Sequence, residues 1–279
     1  MSLASPQRPL NWSIISNITA QHVGALFAPF TFSPSALVLA LFLHWFVGGL
    51  GITLGYHRLL THRSFKTHQW LEYILATIGC LAVEGGPIEW VGIHRLHHKY
   101  SDTSEDPHNA NQGFWWSHMR WLTVSPPPDA LEKIRKVTGD LNGDPYYEFL
   151  SKYFLLPHVL FAIILYLCGG WSFVVWGLFV RVVLVYHTTW LVNSASHKFG
   201  YRTFDCDDCS KNCWWVGILA YGEGWHNNHH AYPYSARHGL QWWEIDATWM
   251  AIQVLKFLGL AWNIRLPKTQ ENLNEQLVT

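Results

Sequence analysis

Eight of the seventeen histidines fall into three short clusters, and their spacing constrains this chain more than any other feature. The clusters are His57-Arg-Leu-Leu-Thr-His62, His94-Arg-Leu-His97-His98 and His226-Asn-Asn-His229-His230. Neutral imidazole is a common ligand of iron, copper, nickel and zinc. Residues at i, i+3 and i+4 lie on one helix face, so the last two clusters predict two opposed histidine faces. With the first cluster beside them, they would hold about two metal ions.

The composition is typical of a membrane protein. Only 14% of the 279 residues are charged, 49% are hydrophobic, and 17 are Trp. A soluble domain carries about 25% charged residues. Because the 19 basic and 19 acidic residues balance, no basic surface indicates a nucleic-acid partner. The length favours a single domain that comprises residues 1–279.

Several apolar segments are candidates for membrane spans. Residues 35–56 contain no acid or base and are long enough for a bilayer core of ~30 Å. Residues 154–170 and 172–193 predict two further spans, joined in a hairpin at Gly169-Gly170. Residues 13–30 form a weaker span, since Asn17, Thr19, Gln21 and His22 interrupt it. The pattern therefore predicts about four transmembrane helices.

Segment 71–90 is predicted to lie at the interface without crossing. Its apolar part, 71–83, is short for a span. A crossing there would also place His62 and His94 on opposite sides of the membrane. We therefore expect an interfacial or re-entrant helix packed against protein. The fold class that follows is an all-α integral membrane protein, in which residues 194–279 form a helical cap over the di-metal site.

Charge predicts on which side this cap lies. The stretch from Arg95 to Lys152, which precedes the predicted hairpin of spans, carries Arg95, Lys99, Arg120, Lys133, Arg135, Lys136 and Lys152. Basic loops remain on the cytoplasmic side of a membrane. We therefore expect a multi-pass protein with its metal site on the cytoplasmic side, or on the stromal side in an organelle.

The ligand set favours oxidative chemistry. Structural zinc is usually a closed four-ligand site, often with cysteine. A metal transporter would place its ligands near the membrane midplane and include carboxylates, and an electron carrier with paired haems would need histidines inside facing spans. Two irons that activate dioxygen, with an apolar chain from the membrane as substrate, fit the eight imidazoles best. A hydroxylase or alkane monooxygenase, a metal transporter and an electron carrier stay open as alternatives.

The clusters and their flanks resemble the membrane fatty-acid desaturases. The resemblance runs from about Gly51 to Leu260. It includes Gly-Ile-Thr-Leu-Gly-Tyr-His57, Ser-Asp-Thr-Ser-Glu-Asp-Pro-His108, Thr-Trp-Leu-Val-Asn193-Ser-Ala-Ser-His197 and Gly222-Glu-Gly-Trp-His226. These motifs resemble the stearoyl-type Δ9 branch. Leu240-Gln-Trp-Trp-Glu244 is similar to the cyanobacterial and plastid acyl-lipid members.

The resemblance implies an activity and its cofactors. It implies O2-dependent formation of a cis double bond at the Δ9 position of a saturated, lipid-bound acyl chain. It also implies two iron ions and an external electron donor, ferredoxin. The implied iron ligands are nine histidines, and Asn193 would hold a metal-bound water. These histidines are His57, His62, His94, His97, His98, His197, His226, His229 and His230.

Further residues are candidates for supporting roles. Metal-bound imidazoles need an acceptor for their second N–H. Acids close to the clusters that could supply it are Asp102, Glu105, Asp106 and Glu223. Trp90 and Trp116 flank the second cluster closely enough to line a bent substrate channel.

Two features depart from the resemblance. Acyl-CoA members often carry an Arg-Asp pair directly before the second cluster, where this chain has Gly92-Ile93. This favours a lipid-bound substrate and a headgroup surface around Gly92-Ile93, although an acyl-CoA Δ9 desaturase stays open. The polar loop with Cys206, Cys209 and Cys213 predicts either three free thiols, the favoured reading, or a weak metal or redox site.

Overall fold

The computed structural model describes residues 8–268. Within this range the protein is helical, with isolated β-bridges and no strand, as the all-α prediction requires. Its α-helices are α1 (Trp12–Ala25), α2 (Pro34–His44), α3 (Gln69–Cys80), α4 (Pro87–Tyr100), α5 (Phe114–His118), α6 (Ala130–Val137), α7 (Pro145–Lys152), α8 (Leu156–Val174), α9 (Arg181–Ser194), α10 (Trp214–Leu219), α11 (His226–Ala231) and α12 (Ala247–Phe257). Short 3-10 helices cover Ala28–Thr31, Ala110–Gln112, Arg120–Thr123 and Ala195–His197, and π-helical segments cover Trp45–Thr61 and Val175–Val180.

A long apolar helix delivers the first histidine cluster. Ser33 caps the N-terminus of α2, since its hydroxyl accepts from the Ala36 amide at 3.2 Å. The helix continues into the π-helical segment, so that Pro34–Thr61 spans 28 residues and is apolar enough to cross a membrane. Its end carries His57, with His62 following directly. Side chains such as Val38, 66% exposed, lie on the outer surface, as expected for a helix in lipid.

A second apolar segment, Leu156–His197, is also long and apolar enough to cross. It is not one straight helix, because Gly169 and Gly170 leave helical geometry and Gly170 has φ 61°. Leu165 and Gly177 lie on opposite sides of this break, and a Cβ built on Gly177 would be 3.1 Å from Leu165 Cδ1. Twelve residues of continuous helix would separate them by about 18 Å. The segment therefore folds back on itself at the two glycines where the sequence predicts a turn.

The segment expected as one helix over 71–90 is divided in two. Helix α3 ends at Cys80, and α4 begins at Pro87, whose ring has no amide hydrogen to donate and suits the first turn of a helix. The chain turns between them, with positive φ at Val83 and Gly85. The segment thus consists of two helices joined by a turn, and in sequence it lies between the first histidine cluster and the end of the second.

Side chains from the two long apolar segments satisfy the carbonyls of this turn. Arg181 donates to Leu81 O, Tyr186 donates to Val83 O at 3.0 Å, and Tyr56 donates to Gly85 O at 3.5 Å. An unpaired carbonyl in apolar surroundings costs several kcal/mol. These contacts explain how a turn can lie among apolar helices.

Helix α12, near the C-terminus, packs against the first long apolar segment, Pro34–Thr61. Thr248, in the first turn of α12, lies 2.6 Å from Thr53 through the two hydroxyl oxygens. The outer face of α12 exposes Met250, Val254 and Phe257, the last at 88%.

The fold generates a prediction about sidedness. Lys66 and Lys99 flank the first and second histidine clusters and are exposed. Cysteines introduced at both positions should react with a membrane-impermeant maleimide added from the same side of sealed vesicles. A cysteine at Trp171, exposed at the turn of the spanning hairpin, is the control and should react only from the other side. Opposite labelling of positions 66 and 99 would contradict a shared site.

Candidate metal centre

The nine histidines singled out from the sequence lie together in two groups. In each group one ligand atom per residue lies within 4.8 Å of the others. The five-histidine group contains His57, His62, His94, His98 and His229, and the four-histidine group contains His97, His197, His226 and His230. His197, which does not belong to any of the three clusters, comes from the 3-10 turn that ends α9.

Both HxxHH clusters are shared between the two groups. Helix α4 contributes His94 and His98 to the five-histidine group and His97 to the other. Helix α11 contributes His229 to the five-histidine group and His226 and His230 to the four-histidine group. Residues i and i+4 differ by about 40° around a helix, whereas i+3 and i+4 differ by about 100°. The single face expected from the sequence is therefore split between two centres.

The inner nitrogens have the spacing that a metal needs. In the five-histidine group, His229 Nε2 lies 3.1 Å from His57 Nε2 and 2.9 Å from His98 Nε2. In the four-histidine group, His226 Nε2 lies 3.1 Å from the Nε2 atoms of His197 and His230. Ligands about 2.1 Å from an ion are ~3.0 Å apart at right angles and ~3.4 Å apart in a tetrahedron. The spacing thus fits a metal with more than four ligands.

Histidine ring nitrogens without hydrogen-bond partners also indicate that the two groups can bind metal. His62 Nε2 and His97 Nε2 are buried and have no hydrogen-bond partner within the described residues. Burial lowers the pKa of His97 to about 3 and holds the pKa of His62 and His94 well below the usual value. These imidazoles are therefore neutral, which is the form that binds metals.

Carboxylates hold the outer nitrogens of four of these rings. His197 Nδ1 donates to Asp102 at 3.0 Å, His97 Nδ1 to Asp106 at 3.0 Å, and His230 Nδ1 to Asp208 at 2.6 Å, while His57 Nδ1 lies 2.8 Å from Glu223 Oε2. An acceptor at Nδ1 keeps the proton there and leaves Nε2 free to face the metal. Burial disfavours ionisation of Asp106, yet His97 and His108 bring its pKa below the usual value.

One predicted acid is wrong. Glu105 does not touch either histidine group within the described residues, and its carboxylate pairs with Lys133 at 2.7 Å. The side chain is 53% exposed. After α4 ends at Tyr100 the chain turns, and Asp102 and Asp106 face inward whereas Glu105 faces solvent.

The cysteine loop supplies an acid that sequence reasoning missed. Asp208 lies between Cys206 and Cys209 and binds His230, and the Cys209 amide donates to Asp102 Oδ2 at 2.8 Å. The cysteines themselves are free thiols, and none belongs to a metal-binding group in the described part of the chain. The sequence signal that could have indicated Asp208 is its position as an acid in a polar loop between two elements that carry histidines.

Two further histidines border the groups. His238 is fully buried, with its Nδ1 3.0 Å from Glu223 Oε2 and its ring 4.4 Å from that of His229. His108 lies 4.2 Å from the His97 ring. The Asp-Pro-His108 motif was visible in the sequence, whereas nothing local indicated His238.

A narrow cavity reaches the five-histidine group. It is lined by Gly48, Ile52, Thr53, His57, Trp90, His94, Thr188, Thr189, Val192, Asn193, Ala220, Tyr221 and Glu223. Trp90 stacks on His94, with ring centroids 5.3 Å apart. Trp116 is not among the lining residues, contrary to expectation, and its ring lies 5.8 Å from the Arg8 guanidinium.

Comparisons with known proteins give consistent results. Residues 32–264 match the fatty acid desaturase family. The chain is 57% identical to the sn-1 stearoyl-lipid 9-desaturase of Anabaena variabilis over 269 residues, which cover 95% of this chain and 98% of that protein. It is 54% identical to the sn-2 palmitoyl-lipid 9-desaturase of Nostoc sp., covering 92% and 90%. It is also 49% identical to the Acyl-CoA 5-desaturase AL21 of Anemone leveillei, covering 88% and 77%.

Removing one histidine from each group should have unequal effects. His97→Ala leaves three nitrogens in the four-histidine group, whereas His229→Ala leaves four in the other. We expect both variants to bind less metal, and His97→Ala to lose about one ion of two, because a methyl group cannot replace a ligand. Metal analysis of the purified protein measures this. His68→Ala, at an exposed histidine outside both groups, is the control and should bind as wild type does.

Asp208 should matter for metal binding although it is not a ligand. Asp208→Asn removes the negative charge that holds His230 Nδ1–H. We expect the metal affinity of the four-histidine group to fall by about 10–100-fold, measured by competition with a chelator. The exposed neighbour offers the matched variant Asp207→Asn, which should change little. Equal affinities for both variants would contradict the assignment.

Proposed function

Because the chain belongs to the fatty acid desaturase family, we propose that it forms a cis double bond at the Δ9 position of a saturated, lipid-bound acyl chain. The observation that carries the proposal is the apolar cavity that ends at His57 and His94, two members of a nitrogen-rich metal centre. The balanced reaction converts the CH2–CH2 group, O2, two electrons and two protons into CH=CH and two waters.

The nine histidines are the proposed ligands of two iron ions. One iron would take the five-histidine group. The other would take the four-histidine group and a water held by Asn193, which lines the cavity one helical turn before His197. When bound, the irons supply the activation of dioxygen and the oxidation of the acyl chain. Neutral imidazole nitrogens that lie 2.9 to 3.1 Å apart would suit iron better than tetrahedral zinc.

The cavity residues determine which methylene groups of the acyl chain lie next to the metal centre. Trp90 stacks on His94 and forms one wall, and Thr188, Thr189 and Val192 of α9 line the cavity as well. Burial of a methylene contributes only ~0.8 kcal/mol, so position must come from the shape of the cavity and its distance from the membrane surface. Apolar walls also keep water from the reacting carbons.

The preference for a lipid over a CoA ester needs a different explanation from the one expected. Gly92 is buried, and a Cβ placed there would lie 2.6 Å from the Ile134 side chain of α6. The position before the second cluster is thus a packing site for α6 and not a headgroup surface. Support for a lipid substrate comes from the acyl-lipid relatives, and the acyl-CoA relative keeps a CoA ester as the alternative.

We also propose how the protein sits in the membrane and obtains electrons. Four crossings, made by α1 with the following 3-10 turn, by Pro34–Thr61 and by the two arms of the spanning hairpin, would place the metal centre and the cap on the cytoplasmic or stromal side. The exposed apolar face of α12 would lie in the membrane interface. Exposed Lys99, Lys136 and Lys152 suit an acidic donor, for which we propose ferredoxin.

A direct assay tests the substrate and the reaction together. Purified protein in nanodiscs is given stearoyl-lipid or stearoyl-CoA, with O2 and reduced ferredoxin, and the products are identified by mass spectrometry. We expect a Δ9 cis double bond in the lipid, at least tenfold faster than in the CoA ester, and none with His229→Ala. Turnover of the CoA ester alone would contradict the lipid assignment. A hydroxylated product would contradict desaturation.

A further inference from the structure

The ring of Tyr221 lies at the end of the substrate cavity that is farthest from the metal centre. On the first long apolar segment, the lining residues run from His57 back to Gly48, nine residues earlier. On α9 they run from Asn193 back to Thr188. A Cβ built on Gly48 would lie 3.2 Å from Cε2 of the Tyr221 ring. The ring therefore packs against the last part of the first segment that lines the cavity.

Hydrogen bonds tie this ring to both apolar segments. The Tyr221 hydroxyl bonds His44 Nδ1 at the end of α2, and His44 Nε2 lies 3.4 Å from Thr188 Oγ1. The Thr188 hydroxyl donates to Leu184 O at 3.0 Å, so its oxygen is free to accept from the His44 Nε2–H. His44 Nδ1 then carries no hydrogen and accepts from the Tyr221 O–H. We call Tyr221, His44 and Thr188 the tyrosine bridge.

The backbone of Tyr221 has an unusual conformation at this position. Its φ of 56° lies in the left-handed region, which bulky side chains rarely adopt. The amide and the hydroxyl of Thr248 both contact Tyr221 O at 3.0 Å and hold the backbone there. Backbone strain of this kind persists where surrounding contacts maintain it, and it is concentrated at functional sites.

We propose that Tyr221 determines the longest acyl chain that the cavity accepts, because its ring closes the cavity beyond the methyl end of the substrate. The inference rests on the proposed function. A polar headgroup stays at the membrane surface, so the methyl end must enter the part of the cavity that lies deepest among the apolar helices. Gly48, against which the ring packs, is near the middle of Pro34–Thr61, the segment that is long and apolar enough to cross a membrane.

The length of this part of the cavity fits the proposed substrate. The nine residues from Gly48 to His57 advance at most about 13 Å along a helix. A terminal methyl must stay about 3.5–4.0 Å from the ring carbons, which leaves roughly 9–10 Å for the chain. The eight bonds from C10 to the methyl end of a stearoyl chain are about 10 Å long, at ~1.2 Å per bond of an extended chain. A chain two carbons longer would therefore meet the ring.

The hydrogen bonds of the tyrosine bridge make this wall rigid. Apolar walls alone distinguish chains only by how many methylenes they can hold, and a side chain that can rotate away gives a longer chain room. Because its hydroxyl is bound to His44, the Tyr221 ring cannot turn away without leaving polar groups unpaired among apolar helices. We therefore assign His44 as the residue that positions Tyr221.

Lipids of different chain length and variants of the tyrosine bridge test the proposal. Protein in nanodiscs is given stearoyl-lipid or arachidoyl-lipid, which is two carbons longer, with O2 and reduced ferredoxin, and kcat/KM is measured for each. In Tyr221→Gly, which removes the ring and tolerates positive φ, the ratio of kcat/KM for arachidoyl-lipid to that for stearoyl-lipid should rise about tenfold or more. The double bond should stay at Δ9, because its position is set from the headgroup side.

Two milder variants separate the ring from its hydrogen bond. Tyr221→Phe keeps the ring and His44→Leu keeps the tyrosine, but both lose the bond between them. The same ratio should rise by a smaller factor in both, roughly two- to fivefold. Tyr166→Ala is the control, since Tyr166 is 50% exposed on α8 and does not line the cavity. Its ratio and its iron content should equal those of wild type.

A second readout does not depend on turnover. Each protein is purified in detergent after exposure to an equal mixture of stearoyl-lipid and arachidoyl-lipid, and the lipids that remain bound are identified by mass spectrometry. Wild type should retain mainly stearoyl-lipid, whereas Tyr221→Gly should lose this preference. Failure of wild type to form any double bond would contradict the proposed function, and the retained lipids would still decide the role of Tyr221.

Equal changes for both lipids would overturn the inference. If kcat/KM for stearoyl-lipid and arachidoyl-lipid falls by the same factor in Tyr221→Gly, with normal iron content, the ring has only a structural role. If that variant does not fold, Tyr221→Phe decides, and an unchanged ratio in it would overturn the role of the tyrosine bridge. A double bond that moves away from Δ9 in Tyr221→Gly would also contradict a wall at the methyl end.

Discussion

The fully buried guanidinium of Arg58 is the interaction on which the rest of the site depends. It donates to Glu223 at 3.0 and 3.1 Å and contacts Asp246 at 2.9 and 3.0 Å. Glu223 in turn contacts His57 and His238, and Asp246 accepts from the His238 amide at 2.8 Å. Three segments far apart in sequence are thereby joined at one cation. Removing one partner would leave an uncompensated buried charge, which costs about 3–5 kcal/mol.

The same centre couples the helices that carry the histidines. Because α4 and α11 each contribute to both groups, neither group can form unless both helices are in place. The long apolar helix brings His57 to this point through a π-helical segment, a geometry often found at functional sites. The acids around the rings then orient each imidazole, so that ligand positions depend on loops as much as on helices. Metal binding and the packing of α4 against α11 are therefore expected to be linked.

Polar side chains inside the apolar part of the molecule contact backbone carbonyls there. Arg181, Tyr186 and Tyr56 satisfy the carbonyls of the turn between α3 and α4, so their role is structural. His22 has a similar role on α1, where its Nδ1 lies 2.8 Å from Ile18 O. These contacts solve the same physical problem, which is that a polar group away from water must find a partner inside the protein.

The sequence by itself determined the long apolar segments and most of the histidines that meet in the two groups. The spacing of each HxxHH cluster predicted a helix that carries it, because it follows helix periodicity. Apolar composition predicted the long apolar segments, and the backbone freedom of glycine predicted the turn at Gly169-Gly170. Only the tertiary structure decided how each cluster divides, that Asp208 and not Glu105 supports a ring, and that Trp116 lies away from the cavity. Such outcomes depend on the direction of individual side chains and on contacts across long separations, such as the 95 residues between Asp102 and His197. Helix and turn propensities carry no information about those contacts.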